Sequence, residues 1–368
     1  MSDFIAESLD SVRSKALRIT LSSQALRNIF ISKSKRLFLF YCITAILALG
    51  TSLFFPLWSL LLGPFLYGVP HLYSSLRYIH HALHSKVPTD QRTSPGRAPS
   101  QAFIFFTLIF TLITSLRLWM YTHSITTEHL PLGELLPEWI SYVVTFIGCV
   151  FLYRRSFQEV IQGLFLSTFI LILTWHFPLE LAGLIMLAHH FVGFFFWINF
   201  SKEKRSERRV AITCTFLFCI LHLLIFLGVF DPLYTLFSPS GEIAWAELEY
   251  SQIGSLILPR ATHYTTWFHA TTAYAFGQTL HYFIWLKAIP DQHHYHSTPT
   301  TFRQSLKLLR EDFPTSTLII GALASCALFL IWMIWNYPLA RTLYFILASY
   351  HGFMELAALS LLSRRSPT

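Results

Sequence analysis

Several windows of this chain hold more than about 18 mostly apolar residues, the length needed to cross a bilayer as a helix. Ten such spans are predicted, at about 37–55, 57–84, 101–121, 138–154, 157–176, 178–200, 210–230, 264–288, 315–336 and 338–362. Composition agrees: 54% of the 368 residues are hydrophobic, only 12% are charged, and mean hydropathy is +0.50, outside the range of soluble domains. A soluble core would have no place for 35 Phe. The expected fold class is therefore all-α, a polytopic membrane protein. Pro56, Pro137, Pro178, Pro290, Pro314 and Pro338 stand near span ends, where a missing N–H costs least. Trp58, Trp139, Trp197 and Trp335 also lie near ends, as interfacial aromatics do.

The formal charge of +8 does not point to nucleic acid, because the basic residues lie in short blocks between apolar spans. With the N-terminus cytoplasmic, the inner segments hold Arg13 to Arg36, Lys86, Arg154, Arg155, Lys202 to Arg209, Lys307, Arg310, Arg364 and Arg365. The outer loops carry Glu128, Glu134, Asp231, Glu242, Glu247 and Glu249. This alternation places both termini inside, with Arg77, Arg117, Arg260 and Arg341 falling elsewhere. The chain divides into a basic N-terminal segment (1–36), one transmembrane domain (37–362) and a basic tail (363–368). Segment 4–31 mixes apolar and basic residues and reads either as an interfacial helix or as a partly ordered tail. Loop 85–100 is rich in Pro and Ser, and Ile243, Trp245, Leu248, Ile253 and Leu256 suggest an interfacial helix in the outer loop 231–263. Cys42, Cys149, Cys214, Cys219 and Cys326 all fall in spans without a CxxC pair and read as packing residues.

Within this frame four histidines stand out: His71, His190, His281 and His351, each deep in a different span. An imidazole in hydrocarbon is costly unless it finds a partner, so it marks a functional site by default. All four spans run from outside to inside, and at about 1.5 Å per residue the histidines lie about 18–26 Å from the outer end. Imidazoles at one depth on different helices can converge on an ion, and four without a thiolate favour Fe(II), Cu or Zn. Gly68-Val69-Pro70 predicts a kink before His71. Glu355, one turn after His351, is placed to orient a ligand imidazole by accepting its second N–H. Phe194, Phe195, Tyr274 and Trp285 flank the candidate ligands and either line a substrate channel or serve as ordinary packing. A lone buried histidine is more often an interhelix contact than a ligand, and His222 is weighed that way, with a reserve role as ligand.

Four short stretches resemble the Brp/Blh family of membrane beta-carotene dioxygenases. Gly68-Val69-Pro70-His71 is similar to that family's GLPHGALD signature, with Ser75 where the signature has Asp. His190-Phe191 matches a His-Phe pair, His281-Tyr282-Phe283-Ile284-Trp285 a His- and aromatic-rich helix, and His351 with Glu355 a terminal His-acidic element. The third signature has two histidines four apart, whereas His281 has Gly277 and Trp285 at those positions. The resemblance implies an all-helical Fe(II)-dependent oxygenase that cleaves an apolar isoprenoid with O2 to a retinal-like product, in a bacterial inner (plasma) membrane. Two other readings stay open. His80 and His84 give HxxxH, with His293, His294 and His296 on the same side, as in desaturase- or hydroxylase-like di-iron enzymes. Midplane histidines also suit b haem, and broken helices suit a transporter.

Overall fold

The computed structural model describes residues 2–84, 157–201, 204–237, 242–293, 301–305, 307 and 316–362, with short pieces between 108 and 148. Loop 85–100, most of the expected spans 101–121 and 138–154, and the tail 363–368 lie outside the described residues.

The described chain is helical apart from one short hairpin. Two helices open it, α1 (Ser2–Thr20) and α2 (Gln24–Ile31), and α3 (Lys33–Phe54) follows. Next come α4 (Pro56–Gly63), α5 (Val69–His84), α6 (Phe157–His176), α7 (Pro178–Phe200) and α8 (Arg205–Phe226). Pro56 and Pro178 sit at the first turns of α4 and α7, where the helix lacks no bond by having them. The expected spans 157–176 and 178–200 coincide with α6 and α7.

The outer loop folds into α9 (Asp231–Phe237), a hairpin of β1 (Glu242–Ile243) and β2 (Leu248–Glu249), and α10 (Tyr250–Ile257). The bundle resumes with α11 (Tyr264–Phe283), then α12 (Ile289–His293), α13 (Ser316–Trp335) and α14 (Tyr337–Leu362).

Helices α3, α7 from Gly183 and α8 are each long and apolar enough to cross a membrane. Their outward faces are apolar as well: Ile46, Leu47, Leu184, Phe216 and Leu223 are exposed. A surface of that kind suggests membrane association.

Among the described residues two π-helical turns occur, each shortly before a proline. Pro64–Gly68 joins α4 to α5, and Ile284–Ala288 joins α11 to α12. Each turn is followed two residues later by proline, Pro70 and Pro290. In the second turn the Ile289 N–H bonds the Ile284 carbonyl. Continuing that register would require an N–H from Pro290, which has none, so the Trp285 carbonyl loses its helical partner. The Ser74 hydroxyl of α5 donates to it instead. The kink expected at Gly68–Pro70 is thus a widened turn, and it has a counterpart in α11.

The core falls into two clusters. One gathers Tyr41, Phe194, Trp197, Phe218, Phe276 and Trp285. The other gathers Leu60, Ile253, Phe268, Tyr337 and Tyr344, on the side of the outer loop. Both α5 and α14 pass from one cluster to the other. Tyr337 and Tyr344 belong to the second and Met354, Ala357 and Ala358 to the first, with His351 between them.

Polar ties cross the bundle. Lys33 on α3 lies 3.4 Å from Glu207 on α8, and Lys204 lies 3.6 Å from the same carboxylate. The Tyr41 hydroxyl donates to the Cys214 carbonyl across α3 and α8 at 2.8 Å. Tyr41→Phe should therefore lower stability by about 1 kcal/mol, because one net hydrogen bond is lost while the ring packing stays. Thermal unfolding in detergent measures this, and an unchanged midpoint would show that the bond does not join the two helices energetically.

Candidate metal centre

His71 of α5, His189 of α7, His281 of α11 and His351 of α14 meet in the interior of the bundle. Each offers one nitrogen, and these atoms all lie within 4.8 Å of one another. Ring centroids of neighbouring pairs are 4.3 Å apart for His189–His281, 4.7 Å for His71–His351, 5.3 Å for His189–His351 and 5.4 Å for His71–His281. Donors held about 2.1 Å from one ion span at most about 4.2 Å, so the cage needs only slight tightening to grip one.

Local sequence explains how four rings fit. Gly193 of α7 faces His281: a Cβ there would stand 3.2 Å from its Nδ1 and 3.4 Å from Trp285 Nε1. Gly352 leaves similar room for His189. Small residues let helix backbones approach within reach of each other's imidazoles.

Hydrogen bonding fixes the state of His351. Its Nδ1 lies 2.9 Å from Ser75 Oγ, and Ser75 Oγ lies 3.0 Å from the Leu72 carbonyl. A carbonyl only accepts, so the single hydroxyl proton goes to Leu72, and Ser75 accepts from His351 Nδ1–H. The proton of the neutral ring is then on Nδ1, and Nε2 presents a lone pair toward the other histidines. His71 Nε2 stands 3.2 Å away. Ser75 is thus the group that orients this imidazole.

Glu355 stands against several of the imidazoles rather than behind one. It does not accept the second N–H of His351, because Ser75 holds that position. Its carboxylate is fully buried on the inner side of the cage, with Oε1 2.9 Å from His351 Nε2 and 3.9 Å from His281 Nε2, and Oε2 3.3 Å from His189 Nδ1. Neither oxygen makes a hydrogen bond.

His190, expected as the fourth ligand, is one residue from His189 and about 100° around α7. Its ring packs 4.9 Å from Tyr274 and shares the surface of Gly277 with His222: a Cβ at Gly277 would stand 2.5 Å from His190 Nδ1 and 3.0 Å from His222 Cε1. Depth along the helix could not separate the two adjacent histidines. Helix α7 is apolar on all sides, so amphipathicity could not orient it either. The usable signal was Gly193, one turn after His189, which marks the line of close approach.

The expected channel residues separate. Phe194 is buried against Phe218, with ring centroids 4.4 Å apart, and Trp285 packs on Phe196 at 5.2 Å. Phe195 is 51% exposed on the exterior of the bundle. Tyr274 lines a cleft with Leu60, Pro64, Gln278 and Tyr344 on the outer-loop side. From Gln278 a polar chain runs to Tyr282 at 2.8 Å and on to Tyr344 at 3.3 Å, and the Tyr282 ring lies 4.7 Å from His71. His269 does not join the cage; it pairs with Asp231 at 2.7 Å. The side chains of His80 and His84, and residues His294 and His296, lie outside the described residues.

Chemically, four neutral imidazoles beside one carboxylate form a donor set for a borderline divalent ion. Donors converging on one point leave no plane for a porphyrin, which argues against haem.

Searches against protein-family models, curated proteins and solved structures give no match. The residues themselves supply the test. His189→Ala should remove bound transition metal, measured by elemental analysis of the purified chain, whereas His190→Ala should retain it. The opposite pattern would transfer the ligand role to His190.

Proposed function

We propose that this chain is a membrane-embedded non-haem iron oxygenase that cleaves an apolar, lipid-dissolved substrate such as a carotenoid to a retinal-like product. The observation that carries the reading is the convergence of four imidazoles, from four helices, inside a bundle with an apolar exterior. The resemblance to the Brp/Blh family adds the substrate class and the preference for Fe(II). The reading takes the bundle as ten spans with both termini cytoplasmic, as the alternation of loop charge supports, in a bacterial inner membrane.

His71, His189, His281 and His351 would hold the ion, and Fe(II) when bound would supply activation of O2 for insertion across a carbon–carbon double bond. The protein's own contribution is positional. Ser75 keeps the His351 lone pair turned inward. Trp285, Phe196 and Phe194 close the inner side of the site against water. On the other side a small cleft beside Tyr274 and Gln278 is walled by Leu248, Ile253 and Leu256 of the outer loop, and it would have to widen to admit an apolar chain. The hydroxyls of Tyr344, which lines that cleft, and Tyr282 lie 3.3 Å apart, and the Tyr282 ring packs on His71.

Two measurements test the reading together. Freshly purified chain should contain close to one iron per molecule, and a pigment-producing host that expresses it should lose beta-carotene and accumulate a shorter aldehyde. His71→Ala or His281→Ala should abolish both. Unchanged pigment with iron-loaded protein would remove the carotenoid substrate and leave the metal centre standing.

A further inference from the structure

The Glu355 carboxylate has no role in the reading above, and its position is hard to account for without a cation. It is 0% exposed, neither oxygen is hydrogen-bonded, and it faces the imidazoles of His189, His281 and His351. A buried unpaired carboxylate costs several kcal/mol or more in a low-dielectric interior. The nearest donor atom cannot relieve it. His351 Nε2 is 2.9 Å from Oε1, but its proton is on Nδ1, held by Ser75, so a lone pair faces a carboxylate oxygen. Two electron-rich atoms directed at one point need a positive centre between them, and a metal ion or a proton on Oε1 each supplies one.

The separations have the pattern of a coordination sphere. Donors about 2.1 Å from one ion lie about 3.0 Å apart at a right angle and about 4.2 Å apart across it. Glu355 Oε1 is 2.9 Å from His351 Nε2 and 3.9 Å from His281 Nε2, and His71 Nε2 is 3.2 Å from His351 Nε2. The spacing of Glu355 and His351, one turn apart on α14, lets one helix supply two adjacent donors.

From this geometry we infer that Glu355 is itself a metal ligand, binding beside the imidazoles of His189, His281 and His351 that its oxygens face. The inference rests on the metal-centre reading and deepens it. A hard oxygen donor added to imidazoles turns the site toward Fe(II) and away from Cu(I), which prefers sulfur. The carboxylate also cancels one of the two charges of a divalent ion, which lowers the cost of holding it in the membrane interior.

The experiment compares the wild-type chain with Glu355→Gln, a near-isosteric change, after both are shown monodisperse in detergent. Ferrous iron is titrated anaerobically against a competing chelator, and an infrared difference spectrum is taken between the iron-bound and iron-free forms. Glu355→Gln should bind iron at least about tenfold more weakly. The wild-type spectrum should contain carboxylate stretching bands that are missing from Glu355→Gln. Ser75→Ala separates a positioning role from ligation: it should weaken binding yet keep those bands. Iron binding by the wild type with a difference spectrum that Glu355→Gln leaves unaltered would overturn this assignment and leave the four-histidine site intact. A wild-type chain that binds no transition metal would overturn both.

Discussion

Polar groups in the interior of an apolar bundle must find one another, and that requirement organises this molecule. The imidazoles of His71, His189, His281 and His351 come from four helices that otherwise offer mainly hydrocarbon. Each helix must therefore present its histidine inward at one level. The glycines at 193 and 352 let α7 and α14 come close enough, and the two core clusters fill the space above and below. The cage is less a decoration on the bundle than the condition under which these helices can pack.

The sequence made the helical framework readable because spans are long and their ends are punctuated. Proline at the start of α4 and α7 locates boundaries that the structure reproduces, whereas Trp197, expected at an interface, is buried in the core because the end of α7 packs against α3 and α8. Depth placed His71, His281 and His351 at one level, and the structure brings their rings together. Azimuth was the missing coordinate. In a helix that is apolar on every side, hydropathy has no preferred direction, so His189 and His190 were indistinguishable. Phe194 and Phe195 posed the same problem, one turning into the core and the other out.

Interactions between helices were harder still to read. Ser75 stands one turn from His71 in the sequence, yet its partner is His351, 276 residues away. Glu355 looked like an orienting group for His351 because the two share a helix face, which is correct as far as spacing goes. Which imidazole nitrogen it meets depends on what already occupies the other nitrogen, and a distant serine decides that.

Adjacent serines on α5 also have a mechanical consequence. Ser74 caps the Trp285 carbonyl left open by the π-helical turn after α11, and Ser75 holds His351 of α14. Consecutive residues project about 100° apart, so the two bonds pull on α5 from different directions. Rotating α5 about its own axis cannot relax one without breaking the other. The helix that carries His71 is locked in azimuth by two hydroxyls, like a shaft pinned at two angles, and a disturbance of either neighbouring helix reaches the cage as a torque on α5.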